Sequence, residues 1–251
     1  MKIIAISNQK GGTGKTSTTV NLAAALARAG KSVLLVDMDP QGSLTEYFTN
    51  PEELKVTMYN ALLDGATLTP LVIGEHIQLL PSTIDLAAAE IQLPAKRNQE
   101  RTLSRFLRQF VGKFDYCLLD CPPSLGVLTA NALTAAHLVL VPVSTELMAE
   151  RTVKLILNTI EDIKEIELNP SLKVWRILAT IYDQRLAHHK EILAALRAKY
   201  GSQLYPEPVR ATTKYKDAVT SGTDISDFDP KLGEFWDELA GTLIAETQEQ
   251  Q

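Results

Sequence analysis

Short runs of consecutive apolar residues, rich in β-branched side chains, alternate along the chain with longer stretches of helical periodicity. The first run, Ile3 to Ser7, precedes a helical pattern through Asn21-Leu22-Ala23-Ala24-Ala25-Leu26-Ala27 and a second run from Ser32 to Val36. Further strands are predicted at Ile77 to Pro81, Tyr116 to Leu119, Leu138 to Pro142 and Val174 to Ile181, with helices between most of them. Strands that are apolar throughout need cover on both faces, and strands separated by helices run parallel. The predicted architecture is α/β, a doubly wound, mostly parallel sheet with helices on both faces. No Pro/Gly/Ser-rich linker, low-complexity tract or repeat interrupts the pattern. One domain over residues 1–251 is therefore expected, with a frayed tail at Gln248, Gln250 and Gln251.

Sheets of this kind collect ligands outside the carboxyl ends of their strands, which directs attention to the loops after Ser7, Val36, Leu119, Val141 and Ile181. After the first strand comes Lys10-Gly11-Gly12-Thr13-Gly14-Lys15-Thr16-Ser17, opening a helix. Its glycines let successive backbone N–H groups turn toward one centre, and the helix N-terminus adds partial positive charge, so the segment Gly11 to Ser17 is suited to cradle phosphate. Lys15 is placed to reach the β- and γ-phosphates of a nucleotide, and the Thr16 hydroxyl to ligate Mg²⁺. The strict phosphate-loop pattern fails only at its first glycine, where this chain has Gln9.

Two carboxylate boxes follow. Val36-Asp37-Met38-Asp39-Pro40-Gln41-Gly42 sets two acids one residue apart at a strand end. A carboxylate there can orient the water that attacks a γ-phosphate, because phosphoryl transfer needs positioning more than covalent help. Asp120, closing the apolar run Tyr116-Cys117-Leu118-Leu119, emerges where a phosphate-bound metal must lie and is expected to hold Mg²⁺, through water.

With 45% apolar residues, 251 residues suffice for a substantial core, which excludes disordered and fibrous classes. Cys117 and Cys121, the two cysteines, lie close together in an apolar stretch and read as buried thiols of a reducing cytoplasm. The first strand meets the glycine loop before a signal peptide's apolar region could develop, and no apolar run reaches membrane-spanning length, so a cytoplasmic protein is expected. His188 and His189 lack companions with metal-ligand spacing and are expected on a helix surface; Trp175 and Trp236 read as packing residues. The net charge of -5 hides a gradient: residues 173–216 carry nine Lys and Arg against three acids, whereas residues 217–251 carry one Lys against nine acids. A basic block in an acidic chain is an electrostatic footprint for a polyanion or a solvated face.

The loop Asn8-Gln9-Lys10-Gly11-Gly12-Thr13-Gly14-Lys15-Thr16, with its extra lysine at position 10 and Gln9 in place of glycine, resembles that of the deviant Walker A ATPases of the ParA/MinD group, most nearly the ParA or Soj type. The resemblance extends over almost the whole chain and is looser in its last third. It implies ATP and Mg²⁺ as cofactors and a homodimer in which Lys10 contacts the partner's nucleotide; the alternative is a solvated lysine beside phosphate in cis. It makes Asp39 the hydrolysis residue, Asp37 a support of the Mg²⁺ and loop network, Asp120 the Walker B acid and Pro122-Pro123-Ser124-Leu125-Gly126 a second switch segment. Pro208, in Pro206-Glu207-Pro208-Val209-Arg210, takes the adenine-binding place. The segment Ser144-Thr145-Glu146-Leu147-Met148-Ala149-Glu150-Arg151 departs from the family's common form.

The same resemblance puts Arg185, Arg210, Lys214 and Lys216 on a DNA-binding surface, with contact to the phosphate backbone and no sequence preference. It implies a ParB-like or other cargo-linked activator, a nucleoid-associated location and a role in partitioning plasmids or chromosomes, or in positioning other cargo. Two alternatives stand beside it. A MinD-like membrane-cycling ATPase needs a basic amphipathic C-terminal helix, but residues 234–246 are acidic and no stable membrane association is expected. A small-molecule-activating enzyme needs a substrate region that the sequence does not display.

Overall fold

The computed structural model describes residues 1–249. Seven strands form one sheet in the order β3-β4-β2-β5-β1-β6-β7: β1 Lys2–Ile6, β2 Val33–Asp37, β3 Leu71–Val72, β4 Ile77–Leu80, β5 Tyr116–Asp120, β6 Leu138–Ser144 and β7 Lys173–Thr180. All neighbours are parallel except β3 and β4. The two-residue β3 was not foreseen, being too short to show a period. The long runs behave as expected, with boundaries shifted by one or two residues.

Among the described residues eleven α-helices surround the sheet: α1 Lys15–Arg28, α2 Ser43–Phe48, α3 Met58–Leu63, α4 Ala87–Gln92, α5 Thr102–Leu107, α6 Val127–Ala135, α7 Ala149–Glu165, α8 Ala187–Tyr200, α9 Lys214–Thr220, α10 Ile225–Phe228 and α11 Pro230–Gln248. Strand residues alternate between two apolar layers. Ala5, Leu34, Val36, Cys117 and Leu119 pack toward α3 to α8, whereas Ile4, Ile6, Leu35 and Leu118 pack toward α1, α2 and α9 to α11. Double cover explains why these strands read as unbroken apolar runs.

Among the described residues, no helix is long and apolar enough to cross a membrane. In α11, Trp236, Leu239, Ala240 and Leu243 are buried, and its apolar face is spent inside the fold, where it packs on α1. The helix continues to Gln248, so that residue is ordered rather than frayed; Gln250 and Gln251 lie outside the described residues. Cys117 and Cys121 are buried free thiols, and burial raises both well above the ordinary thiol value. Trp175 and Trp236 are buried as expected, but His189 is not a surface residue. Its Nδ1 accepts a hydrogen bond from the Asp183 backbone N–H at 3.0 Å, which turns the ring inward; His188 remains exposed.

Candidate nucleotide-binding site

The loop between β1 and α1 is shaped by glycines at two points that demand them: Gly12 at φ 72° and Gly14 at φ 82°. Gly14 stands at the start of α1, so the free N–H groups of Lys15, Thr16 and Ser17 open onto a cavity of about 330 Å³. Gly11, Gly12, Gly14, Lys15, Thr16 and Ser17 line it, with Asp39, Tyr47 and Pro123 opposite. Thr13 is buried beneath, and its carbonyl accepts a hydrogen bond from Thr180 Oγ1 at 2.8 Å. Asn8, also buried, ties the loop to β6 by donating to the Pro142 carbonyl at 2.6 Å and accepting from the Lys10 N–H at 3.1 Å. The sequence reasoning missed both props; a buried asparagine at a strand end beside a glycine loop was the signal for one of them.

Lys15 is buried, and its Nζ donates to the Lys10 carbonyl at 3.3 Å. Burial pulls its ammonium below the ordinary lysine value, with Asp120 acting in the opposite direction. Thr16 Oγ1 donates to Asp120 Oδ2 at 2.7 Å, and Thr19 Oγ1 to Asp120 Oδ1 at 3.4 Å. A hydroxyl on the wall of a phosphate-sized cavity, backed by a buried carboxylate, fits an oxygen-loving divalent cation that takes its remaining ligands from phosphate and water. Asp37, expected beside them, gives both oxygens to its own loop. Oδ1 accepts from the Asp39 N–H at 3.1 Å, and Oδ2 accepts from the Thr45 N–H at 2.9 Å and Thr45 Oγ1 at 2.7 Å. Of the three residues expected at the metal, Thr16 and Asp120 meet directly, whereas Asp37 is hydrogen-bonded within its own loop. Asp39 is held by an Asx turn, its Oδ1 accepting from the Gln41 N–H at 2.9 Å, and it lines the phosphate cavity.

Asp37 and Asp120 sit opposite one another in the β2–β5 register, both fully buried. Burial pushes Asp37 up to about 8, with the neighbouring Asp120 adding to it, and pushes Asp120 up to about 7. Folded values above the unfolded carboxylate value mean that the native state binds more protons than the unfolded chain between about pH 4 and 8. The contribution of this pair to stability therefore falls as pH rises through that window. Without nucleotide and in the presence of chelator, the melting temperature is expected to drop from pH 5 to pH 8, and a rise over the same interval would contradict the buried pair.

A second cavity, of about 730 Å³, continues from Gly12, Gly14, Ser17 and Thr18 toward the β7 end. Its far wall is Val209 to Thr213, with Tyr215, Trp236, Asp183 and Arg185. The size and the apolar back suit a nucleoside. Pro208 does not line it. The Val209 N–H donates to the Ala179 carbonyl at 2.8 Å and the Tyr182 N–H to the Val209 carbonyl at 3.0 Å, so Val209, the residue after Pro208, is the one held beside the end of β7 and on the cavity wall. Proline, lacking an N–H, stands just outside that pairing.

Lys10 is absent from the lining of its own phosphate cavity. Its Nζ forms an ion pair with Glu146, just beyond β6, and a 3.5 Å hydrogen bond to Ser144 Oγ at the end of that strand. That contact holds the Glu146 carboxyl below its ordinary value. The four expected DNA contacts divide. Arg185 is paired with Asp183 in its own loop at 2.7 Å, and Lys214 with Asp229 at 2.7 Å. Arg210 and Lys216 are exposed, take part in no ion pair among the described residues and line the nucleoside cavity.

Fold and site together define a P-loop nucleotide-binding protein of the deviant Walker A type. The chain belongs to the AAA domain family, whose model matches residues 1–174, and to its ParA/Soj branch. It is 37% identical over 234 residues to the sporulation initiation inhibitor protein Soj of Bacillus subtilis, covering 92% of each chain. Against the chromosome partitioning protein ParA of Myxococcus xanthus it is 38% identical, covering 92% of this chain and 82% of that one. Among solved structures, a Mycobacterium smegmatis protein described as cobyrinic acid a,c-diamide synthase superposes with a TM-score of 0.87 at 36% identity, covering 100% of this chain and 97% of that one. It was solved with ADP and magnesium and with an ATP analogue and magnesium.

Proposed function

We propose that this chain is a ParA-type ATPase of one domain. It binds ATP with Mg²⁺ along the two joined cavities and closes with a second copy of itself over the nucleotide. In that state it holds DNA without regard to sequence, and on hydrolysis to ADP and phosphate it lets go. The cycle partitions a plasmid or chromosome, or positions another cargo, on the nucleoid, under control of a ParB-like or other cargo-linked activator.

The observation that carries this reading is the direction of Lys10. A lysine serving its own nucleotide would join Lys15 in the cavity; Lys10 instead turns out to Glu146 and Ser144, one-third exposed. This supports delivery of its ammonium to a partner's ligand rather than to its own. Thr16 and Asp120 would hold Mg²⁺, which when bound neutralises charge on the β- and γ-phosphate oxygens. The loop N–H groups and Lys15 would orient the triphosphate, and Asp39, on the wall of the phosphate cavity, would align water for in-line attack. Because the γ-phosphate would be shared by two subunits, its loss removes the differential binding that favours the dimer.

Light scattering with a non-hydrolysable ATP analogue tests the scheme. Saturated protein is expected at twice the monomer mass and Lys10→Ala at the monomer mass; monomers for both would overturn the reading. For DNA, replacing Arg210 and Lys216 by alanine is expected to lower the slope of log affinity on log salt by about 0.9 per lost contact, measured with each variant saturated with the analogue because both residues also line the nucleoside cavity. An unchanged slope would move the contact elsewhere.

The M. smegmatis description favours a second reading, ATP-driven activation of a small molecule. Product formed in proportion to ATP consumed, without DNA, would support it. A membrane-cycling role has less support, because α11 has no apolar face left for a bilayer.

A further inference from the structure

The chain carries a second basic run besides residues 173–216. Residues 96–113 contain Lys96, Arg97, Arg101, Arg105, Arg108 and Lys113 against a single acid, Glu100. All six cations are exposed, and among the described residues none takes part in an ion pair. The 173–216 block differs, because Arg176, Arg185, Lys199 and Lys214 there are each neutralised by a carboxylate.

The geometry orders these charges. Residues 99–110 are helical without a break, as a 3₁₀ turn, α5 and a second 3₁₀ turn. Leu103, Leu107 and Phe110 recur at i, i+4 and i+7 and are buried in the core. Arg101, Arg105 and Arg108 recur at the same spacing two residues earlier, on the opposite side of the helix. They form an outward stripe about 10 Å long. Among the described residues the partners of its side chains are neutral: Arg101 donates to the Glu167 carbonyl at 3.0 Å, and Arg105 at longer range to the Asn98 carbonyl and Thr102 Oγ1, at 3.5 and 3.4 Å. Ile91 and Val111 are exposed at the two ends of the run, but no large exposed hydrophobic residue stands among Arg101, Arg105 and Arg108, so the stripe itself has no apolar centre of the kind found in protein interfaces. Guanidinium groups in a row with no acid between them match a polyphosphate backbone.

The stripe is also joined to the nucleotide end of the molecule. The Leu103 N–H donates to Asn131 Oδ1 on α6 at 3.0 Å, and α6 begins directly after Pro122–Gly126. In that segment the Ser124 carbonyl accepts from Thr129 Oγ1 at 2.6 Å, and Ser124 Oγ donates to Glu90 at 3.4 Å. A change at Pro123, on the wall of the phosphate cavity, therefore has a packed route to the basic face.

We infer that the Arg101–Arg105–Arg108 stripe, flanked by Lys96, Arg97 and Lys113, is a second contact surface for the phosphate backbone of double-stranded DNA. It rests on the DNA-binding function proposed above. The test uses full-length protein saturated with a non-hydrolysable ATP analogue and a fluorescent duplex of random sequence, titrated over a range of salt. Relative to the parental protein, R101A/R105A/R108A is expected to bind at least 10-fold more weakly at low salt and to lose about 2.7 from the salt slope. The triple lysine variant should recover most of that affinity. Melting temperature and ATP affinity report folding, and R108A, whose side chain makes no internal hydrogen bond among the described residues, should alone lower the slope by about 0.9. Parental slopes in the alanine and R108A variants would overturn the inference and leave DNA binding by the protein intact. Absence of DNA binding by the parental protein in every nucleotide state would overturn both. Loss of polyglutamate binding with DNA affinity unchanged would overturn it in favour of an acidic protein partner.

Discussion

Replacing Lys15 with alanine is expected to weaken ATP binding by about 100-fold, measured by calorimetry with Mg²⁺ present. The ammonium is buried at the head of α1, where burial already pulls it below the ordinary lysine value, so phosphate has little water to compete with for its protons. Removing one partner of such a charge-assisted contact costs about 3 kcal/mol, which is about two decades in the dissociation constant. Thr16, Asp120 and the loop glycines remain in place, so the variant should stay folded. Unchanged ATP affinity would mean that the loop does not hold the triphosphate.

For Asp39→Ala the expected result is the reverse pattern: ATP is retained and hydrolysis falls by about 10²- to 10⁴-fold, the range typical of a positioned acid–base group. The Asp39 carboxylate lies on the wall of the phosphate cavity and, among the described residues, accepts one hydrogen bond, from the Gln41 N–H, while the bond to β2 is made by the Asp39 backbone N–H, which alanine keeps. The loop survives its loss because Asp37, one residue removed, carries the hydrogen bonds that hold Thr45 and the turn. Single-turnover measurement of phosphate release separates the two effects, and a variant hydrolysing at the parental rate would remove Asp39 from the reaction. With ATP trapped, the same variant should remain on DNA longer than the parental protein.

Much of the fold was legible because strands covered on both faces cannot alternate: Ile3-Ile4-Ala5-Ile6 and Cys117-Leu118-Leu119 read as strands from composition alone. The phosphate loop was legible for a related reason, since glycine at Gly12 and Gly14 answers a local backbone demand that leaves its mark in sequence. Where a residue's role depends on a distant partner, no local pattern announces it. Arg185 and Lys214 counted as free cations until the fold set them against Asp183 and Asp229. His189 counted as a surface residue until the Asp183 N–H turned it inward. The basic run at 96–113 stands in the sequence, but only the fold shows that its cations share one exposed face without counter-charges among the described residues.

The sequence by itself determined the strand–helix alternation, the phosphate loop, the carboxylates at the ends of β2 and β5, and the presence of an extra lysine. These follow from periodicity and backbone conformation, which act over a few residues. Tertiary structure alone decided that Lys10 leans on Glu146, 136 positions away, that Asp37 serves its loop while Asp120 meets Thr16, and which cations remain without a counter-charge. Charge and hydrogen bonding act through space over a few ångströms, and only the folded chain fixes which groups come that close.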